Sequence, residues 1–383
     1  MKKVLLVDTN FSAAPIHDYM VQAGNIVFVC GSNPHDYLAK SSKNYINIDY
    51  SDLDQMRDLI QSLAIDHIVP GCNDRSYQVC AALNACGPFS GLDSCETTEI
   101  INNKGKFRAF ATQIGLPVPR VIPIEQVGDF WPLIVKPVDA YSGRGITIVK
   151  ESEASSLLAA IQQAESFSKT KTCIIEEFVS GQLFSHSAFF TDRTIEEDFI
   201  VEEHGTANPF VVDTSRVIND FPIDMLQRIR SCVLKIAIHL NLVNGLIHTQ
   251  FIAHGKSFWL IEITRRCPGD LYSQLIENST GFPYAEAFTK PFLNQQVTNY
   301  NQRLQKSYIL RHTISHPIEK IYKSLQFNAP LQIDKFVALS LSGDEIKGSP
   351  FGRIALLFIK TFSEKELSIL LERTLNRNLY TIH

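Results

Sequence analysis

The chain has 383 residues, of which 45% are hydrophobic and 20% charged, enough for two or three domains with sizeable cores and without a compositional sign of disorder. A formal net charge of -4 and the lack of a long basic run argue against an electrostatic nucleic-acid binder, while a local basic pocket for a small anion stays allowed.

At the N-terminus, MKKVLLVDTN carries two lysines, but Asp8 breaks a short apolar run. Neither a signal peptide nor a membrane anchor is expected, and the protein is placed in the cytoplasm. Eight cysteines show no C-x-x-C spacing, so reduced structural thiols are expected.

KVLLVD (3–8) reads as a buried parallel strand, and NIVFVC (25–30) and HIVPG (67–71) follow in a βαβ rhythm. The segment after the first strand, TNFSAAPIHDYM, contains no glycine, which removes the G-x-G-x-x-G signal of a dinucleotide fold. NNKGKFRAFATQIGLPVPR (102–120) predicts a helix with Phe107, Phe110 and Ile114 on one side. It ends at Gly115 and leaves through an extended LPVP exit.

LIVKPV (133–138), the loop DAYSGRG (139–145) and ITIVK (146–150) predict a hairpin flap, backed by a helix from about Ser152 and a strand in TCIIEEFV (172–179). A helix is expected over 222–241. GLIHTQFIAHG (245–255) and FWLIEITRRC (258–267) read as paired antiparallel strands turning at His254-Gly255. The tail alternates strands and helices again, with Ser363 as N-cap and Glu366 completing a capping box.

Chemistry concentrates at the strand ends. Lys136 leaves an apolar strand facing the glycine loop, where Ser142, Gly143 and Gly145 let the backbone approach an anion closely. An ordinary hairpin with a surface lysine is the plain alternative. Glu262 ends another apolar strand and is the best single candidate for a metal ligand, with Arg265 or Arg266 as a neutralising partner otherwise.

Taken in order, NK (103–104), VKP (135–137), the glycine loop, IIEEFVSG (174–181) and IEITRR (261–266) resemble the ATP-grasp superfamily over roughly residues 1–295. The tail is similar to the C-terminal subdomain of amino-acid ligases and biotin-carboxylase-like members. The implied fold is an α/β and α+β multidomain chain: an N-terminal Rossmann-like βαβ domain (1–100), a linker helix with the ATP-binding flap (101–180), a catalytic subdomain (181–295) and a C-terminal α+β subdomain (296–383).

The resemblance makes Lys104 and Lys136 the nucleotide-phosphate lysines and Ser142 to Gly145 the flap over the phosphates. Glu176, Glu177, Phe178 and Val179 become the hinge that meets adenine. Glu262 and Arg266 match the glutamate and arginine of an E-x-N-x-R pattern, with Arg265 as a second catalytic arginine. Three positions depart from the family: Gln250 for a first acidic metal ligand, Thr264 for the asparagine, and Leu183 for a ribose-contacting glutamate.

ATP and Mg2+ are the implied cofactors, with Glu262, Gln250 and Thr264 around the metal. Arg216, His248 and Asp270 are expected near the substrate, against the plain readings of surface exposure or core packing; Tyr272, Ser273 and Gln274 are candidates for the acceptor pocket. A small carboxylate and an amine are the expected partners, with neither nucleic acid nor membrane, and a homodimer is left open. The implied activity is an ADP-forming carboxylate-amine ligase. Its alternatives are a nucleotide-binding regulatory module with a decayed metal site and a bicarbonate-activating carboxylase or carbamoyl-phosphate-type enzyme.

Overall fold

The structure is a computed structural model, and it describes residues 1–85, 87–141, 143–297 and 307–383. Expected site residue Ser142 therefore lies outside the described residues, as does Cys86.

Four short strands, β1 (Lys3–Val7), β2 (Ile26–Gly31), β3 (Tyr45–Asn47) and β4 (His67–Pro70), form a parallel sheet in the order β3-β2-β1-β4. Val4, Leu5, Leu6 and Val7 are completely buried, as a strand covered on both faces requires. The order reverses direction at β1/β4, where open sheets of this type form a crevice at the carboxyl ends of their strands. Asp8 sits in it, accepting hydrogen bonds from the backbone N–H groups of Asn10 and Cys72, each at 2.9 Å, and from Asn73 Nδ2 at 3.1 Å.

The helix after β4, Asp74–Asn84, starts where Asn73 accepts the N–H of Ser76. Asp74 is thus held in the first turn, the end of the helix dipole that favours a carboxylate. The predicted helix of 102–120 is observed as Lys104–Gln113, capped by Asn103 and followed by Gly115 at φ 66°.

Strands β5 (Leu133–Pro137), β6 (Thr147–Val149) and β7 (Cys173–Glu177) make a three-stranded sheet with β5 in the middle, paired antiparallel to both neighbours. Leu133, Val135, Val149 and Ile175 pack on Leu157, Ala160 and Ala164 of the helix Leu157–Phe167, which gives this flap its own small core.

The largest sheet has eight antiparallel strands. It comprises β8 (Gln182–Thr191), β9 (Thr194–His204), β10 (Thr214–Ile218), β11 (Gly245–His254), β12 (Ser257–Thr264), β13 (Tyr308–Ile314) and the segments Ile333–Ala338 and Ala355–Thr361. Their order is β12-β11-β8-β9-β10-β13, then Ala355–Thr361 and Ile333–Ala338. The division expected at 295/296 thus falls between strands of one continuous sheet. At the C-terminal helix Glu364–Leu375, Ser363 Oγ accepts the N–H of Glu366, and the Glu366 carboxylate accepts the N–H of Phe362 instead of the cap's own.

No helix among the described residues is long and apolar enough to cross a membrane. A Cβ added at Gly71, just after β4, would meet Asp8 Cβ at 2.1 Å. Because three hydrogen bonds pin the Asp8 side chain, Gly71→Ala is expected to lower the unfolding free energy by about 1–3 kcal/mol, measured by urea titration.

Candidate active site

A cleft of about 1140 Å³ opens between the crevice of the parallel sheet, the flap and the large sheet. It is lined by Lys104, Lys136, Gly143, Glu176, Glu177, Phe178 and Val179 from the flap side, and by His248, Gln250, Glu262, Thr264, Arg266 and Asp270 from the large sheet. Sequence-distant residues meet here because both sheets present strand ends to the same space.

Lys136 is the polar residue of a wholly buried strand. Its Nζ lies 2.6 Å from Glu176 Oε2, while Arg108 Nε lies 2.6 Å from Glu176 Oε1 and Arg108 Nη2 donates to the Ile261 carbonyl at 2.7 Å. Burial draws the Lys136 pKa down, with the Glu176 charge opposing it. For Glu176, burial acts upward, but Lys136 and Arg108 together hold its carboxyl below the ordinary range. Glu176 is therefore a buried counter-ion, a correction to its expected place against adenine; the charge it holds in position is that of Lys136.

At the hinge, Glu177 donates its N–H to the Arg120 carbonyl and Phe178 donates to the Pro132 carbonyl. Those groups are committed to the fold, and Val179 is the first hinge residue beyond them. Lys104 donates from Nζ to the Ala140 carbonyl at 2.9 Å, lies over the Tyr141 ring, and stands 3.8 Å from Glu262 Oε1 across the cleft.

In the flap loop Gly143 and Gly145 have φ of 69° and 70°. A Cβ on Gly143 would meet the Phe210 carbonyl oxygen at 2.7 Å, so glycine is required there twice over, by conformation and by space. Gly145 instead faces Phe167 and does not line the cleft. Arg144 between them lies over the Phe351 ring.

Gln250 and Glu262 are direct cross-strand partners on β11 and β12. Gln250 Nε2 donates at 2.7 Å to Glu203 Oε2, a carboxylate on β9 that is only 3% exposed. Thr264 donates to Asp74 Oδ1 at 3.1 Å, which turns its hydroxyl toward the N-terminal helix and is a correction to its expected metal-facing orientation. Among the described residues no group of three or more His, Cys, Asp or Glu side chains is arranged to hold a metal ion. Glu262 and the amide oxygen of Gln250 are nonetheless hard oxygen donors on adjacent strands, a set that fits Mg2+ if phosphate oxygens and water complete its octahedron.

The tandem arginines separate. Arg266 forks onto Asp74, Nε to Oδ1 and Nη2 to Oδ2, each at 3.0 Å, within the cleft. Arg265 points the other way, buried against Asp93 at 2.7 Å with its remaining N–H groups on the Leu246 and Val243 carbonyls. It does not line the cleft, a correction to its expected catalytic place. Arg216 is likewise outside, joining Glu202 of the sheet to Glu364 and Ser368 of the C-terminal helix.

Asp270 and Leu271 both adopt left-handed backbone, at φ 53° and 54°. Such strain in non-glycine residues persists only where the surroundings enforce it. Here Ser12 Oγ accepts the Asp270 N–H, Arg311 donates to its carbonyl, and Arg353 pairs with its carboxylate. Tyr272 lines the cleft, but Ser273 and Gln274 do not.

Asp74, Arg108, Glu203, Arg311 and Arg353 were not singled out from the sequence. Arg311 is 3% exposed and donates to the Asp270 carbonyl and Ser215 Oγ, while its Nε has no hydrogen-bond partner. A buried arginine in YILRHTI, an otherwise apolar strand, is the signal that was available.

Residues 130–274 match the family signature described as the ATP-grasp domain. Over 320 residues the chain is 25% identical to the carbamoyl phosphate synthase large chain of Methanoregula boonei, a match spanning 76% of this chain but 30% of that relative. The fold superposes on the L-amino acid ligase of Bacillus licheniformis with a TM-score of 0.80 at 16% identity, covering 100% of this chain and 98% of that one. It superposes also on the biotin carboxylase domain of 2-oxoglutarate carboxylase from Hydrogenobacter thermophilus, crystallised with MgADP, ADP and bicarbonate. The TM-score there is 0.75 at 15% identity, covering 100% and 90% of the two chains. Residues 130–274 thus carry an ATP-grasp domain, and the whole chain shares its fold with these solved structures.

Two outcomes follow from the burial of these groups. Arg265→Ala leaves Asp93 buried without its counter-ion and is expected to cost about 3–5 kcal/mol of stability in chemical denaturation. His248 bonds Ser187 Oγ through Nδ1 at 2.8 Å, and burial, reinforced by the charges of Arg266 and His186, pushes its pKa down to about 3. Below the unfolded-state value near 6.5, the unfolded chain takes up a proton that folded His248 refuses. Stability therefore falls as pH drops from about 6.5 toward 3, by up to about 1.4 kcal/mol per pH unit from this residue. His248→Asn should reduce the proton uptake on unfolding by about one over that window.

Proposed function

We propose that the protein is an ATP-dependent, ADP-forming ligase that joins a small carboxylate, such as an amino acid, to an amine through an acyl phosphate. The observation that carries this reading is the approach of Lys104 to within 3.8 Å of Glu262 in a cleft also lined by Lys136, Gly143, Gln250 and Arg266. Cations on one wall face oxygen donors on the other, with a glycine loop over them, an arrangement suited to a triphosphate and its cation.

In this reading a carboxylate oxygen of the first substrate attacks the γ-phosphorus of ATP, the bond to the β,γ-bridging oxygen breaks, and ADP departs. The neutral amine then attacks the acyl carbon, and phosphate leaves with the C–O electron pair and takes up the amine proton. Mg2+, when bound by Glu262 and Gln250, would neutralise phosphate charge. Lys104 and Lys136 hold the phosphates, and Glu176 keeps Lys136 extended toward them. Arg266, fixed by Asp74, faces the transferring group, and Arg311, which has no carboxylate within ion-pair distance among the described residues, offers its guanidinium to the substrate carboxylate. The protein's share is positioning and charge neutralisation, and no side chain forms a covalent bond. The flap loop, seated on Phe210 and Phe351, would keep water from the acyl phosphate.

A second reading, a nucleotide-binding module without turnover, is favoured by one observation: Thr264 is engaged by Asp74, which leaves Glu262 as the single carboxylate of the E-x-T-x-R stretch facing Gln250. ADP and phosphate release from Mg-ATP, measured with individual amino acids, separates the two. The ligase reading expects release stimulated by particular amino acids and reduced about 10²-fold or more in both Lys136→Met and Glu262→Ala. Nucleotide binding with no release across the amino acids, alone and in pairs, would establish the module instead.

A further inference from the structure

The substitution of an acid by Gln250 removes a charge from the expected metal position, yet the structure places a carboxylate directly behind it. Gln250, Ser185 and Glu203 come from three adjacent strands in the order β11-β8-β9. Ser185 is the cross-strand partner of Gln250, and Glu203 is that of Leu183, two residues along the same face. The Gln250 side chain crosses β8 to donate from Nε2 to Glu203 Oε2 at 2.7 Å.

On its other side, Ser185 Oγ lies 2.8 Å from the Tyr272 hydroxyl, and either oxygen can be the donor. A carboxylate accepts, so the Glu203 contact settles which half of the Gln250 amide faces it. An amide has one NH2 and one oxygen. With the NH2 committed to β9, the oxygen belongs to the side of Glu262, its partner across the β11–β12 ladder.

Resting on the ligase reading above, we infer that Glu203 is a positioning residue for a divalent cation: it orients Gln250 so that its amide oxygen becomes a cation ligand beside Glu262. The carboxyl group that Gln250 itself lacks stands one hydrogen bond behind that ligand, on another strand. This placement has a specific consequence, because restoring the acid at position 250 alone brings two carboxylates face to face at the present 2.7 Å contact with no hydrogen between them.

The test compares Glu203→Gln, Gln250→Glu and the reciprocal double variant Glu203→Gln/Gln250→Glu with the unaltered protein. Two quantities are measured: ADP affinity by calorimetry with and without Mg2+, and thermal melting in the absence of metal and nucleotide. Glu203→Gln is expected to lose about tenfold or more of the Mg2+-dependent gain in ADP affinity while its metal-free ADP affinity stays within about twofold. Gln250→Glu should melt lower than the unaltered protein when metal-free, and the double variant should recover both the melting temperature and the Mg2+-dependent gain. An unchanged gain in a folded Glu203→Gln protein, or a double variant no better than either single one, overturns the inference. Failure of the unaltered protein to bind ADP with Mg2+ at millimolar concentration overturns the ligase reading and the cation role with it. The metal-free melts separately establish or refute the Glu203–Gln250 pairing.

Discussion

A glutamate with no exposure to water, held between two cations, is the interaction on which this molecule's architecture turns. Glu176 on β7 accepts from Lys136 on the neighbouring strand β5 and from Arg108 on the helix Lys104–Gln113, and Arg108 continues to the Ile261 carbonyl on β12. One carboxylate thus joins the flap sheet, the linker helix and the edge strand of the large sheet. Two positive charges against one negative leave a net positive charge at a place where water is excluded. That arrangement is costly in a fold with no anion to meet, and suits a site built around one.

The same economy governs the approach of the N-terminal region to the large sheet. Arg265 and Arg266 are consecutive residues in the bend that follows β12, and their side chains leave it in different directions. Each finds an aspartate from the first hundred residues: Arg265 meets Asp93 away from the cleft, and Arg266 meets Asp74 within it. One pair is buried on both sides, its arginine also bonding the carbonyls of Val243, before β11, and Leu246, within it, while the other retains a partly accessible guanidinium. Adjacent arginines that look equivalent along the chain therefore do different work, one locking the interface and one facing the space between the lobes.

That divergence explains how much could be read from the sequence. Apolar runs announced the strands, and the N-cap residues Asn103 and Ser363 announced their helices, because each is a local signal. Lys136, Gly143 and Glu262 could be brought to one cleft because each sits near a strand end or in a glycine loop adjoining one, and Gln250 because the resemblance set it opposite Glu262. The roles of Glu176 and Thr264 could not be read, since their hydrogen-bond partners, Arg108 and Asp74, are separated from them by 68 and 190 residues. Glu203 escaped for a different reason: its strand, TIEEDFIVEEH, carries five acids, and nothing local marks the one that turns into the cleft. Ion-pair partners and the direction of a polar side chain are tertiary quantities, fixed only when strand register is known.

Register also sets the charge pattern across the cleft. Arg266 and Arg353 each have an aspartate, Asp74 and Asp270, whereas Arg311 between them has a backbone carbonyl, a serine hydroxyl and a bare Nε. A guanidinium removed from water without a carboxylate destabilises the folded chain, and any anion that reaches it offsets that cost. Since a ligand that binds the native state alone raises stability in proportion to its binding free energy, a buried arginine with no carboxylate in ion-pair contact is one from which a bound carboxylate would gain. The strained turn at Asp270 and Leu271 serves this arrangement directly, because the left-handed backbone aims the Asp270 carbonyl at Arg311 while its carboxylate is left for Arg353. Turning that peptide into ordinary helical or extended geometry would remove a dipole from Arg311 and a charge from Arg353 together, so backbone strain and side-chain charge at the mouth of the cleft form a single constraint.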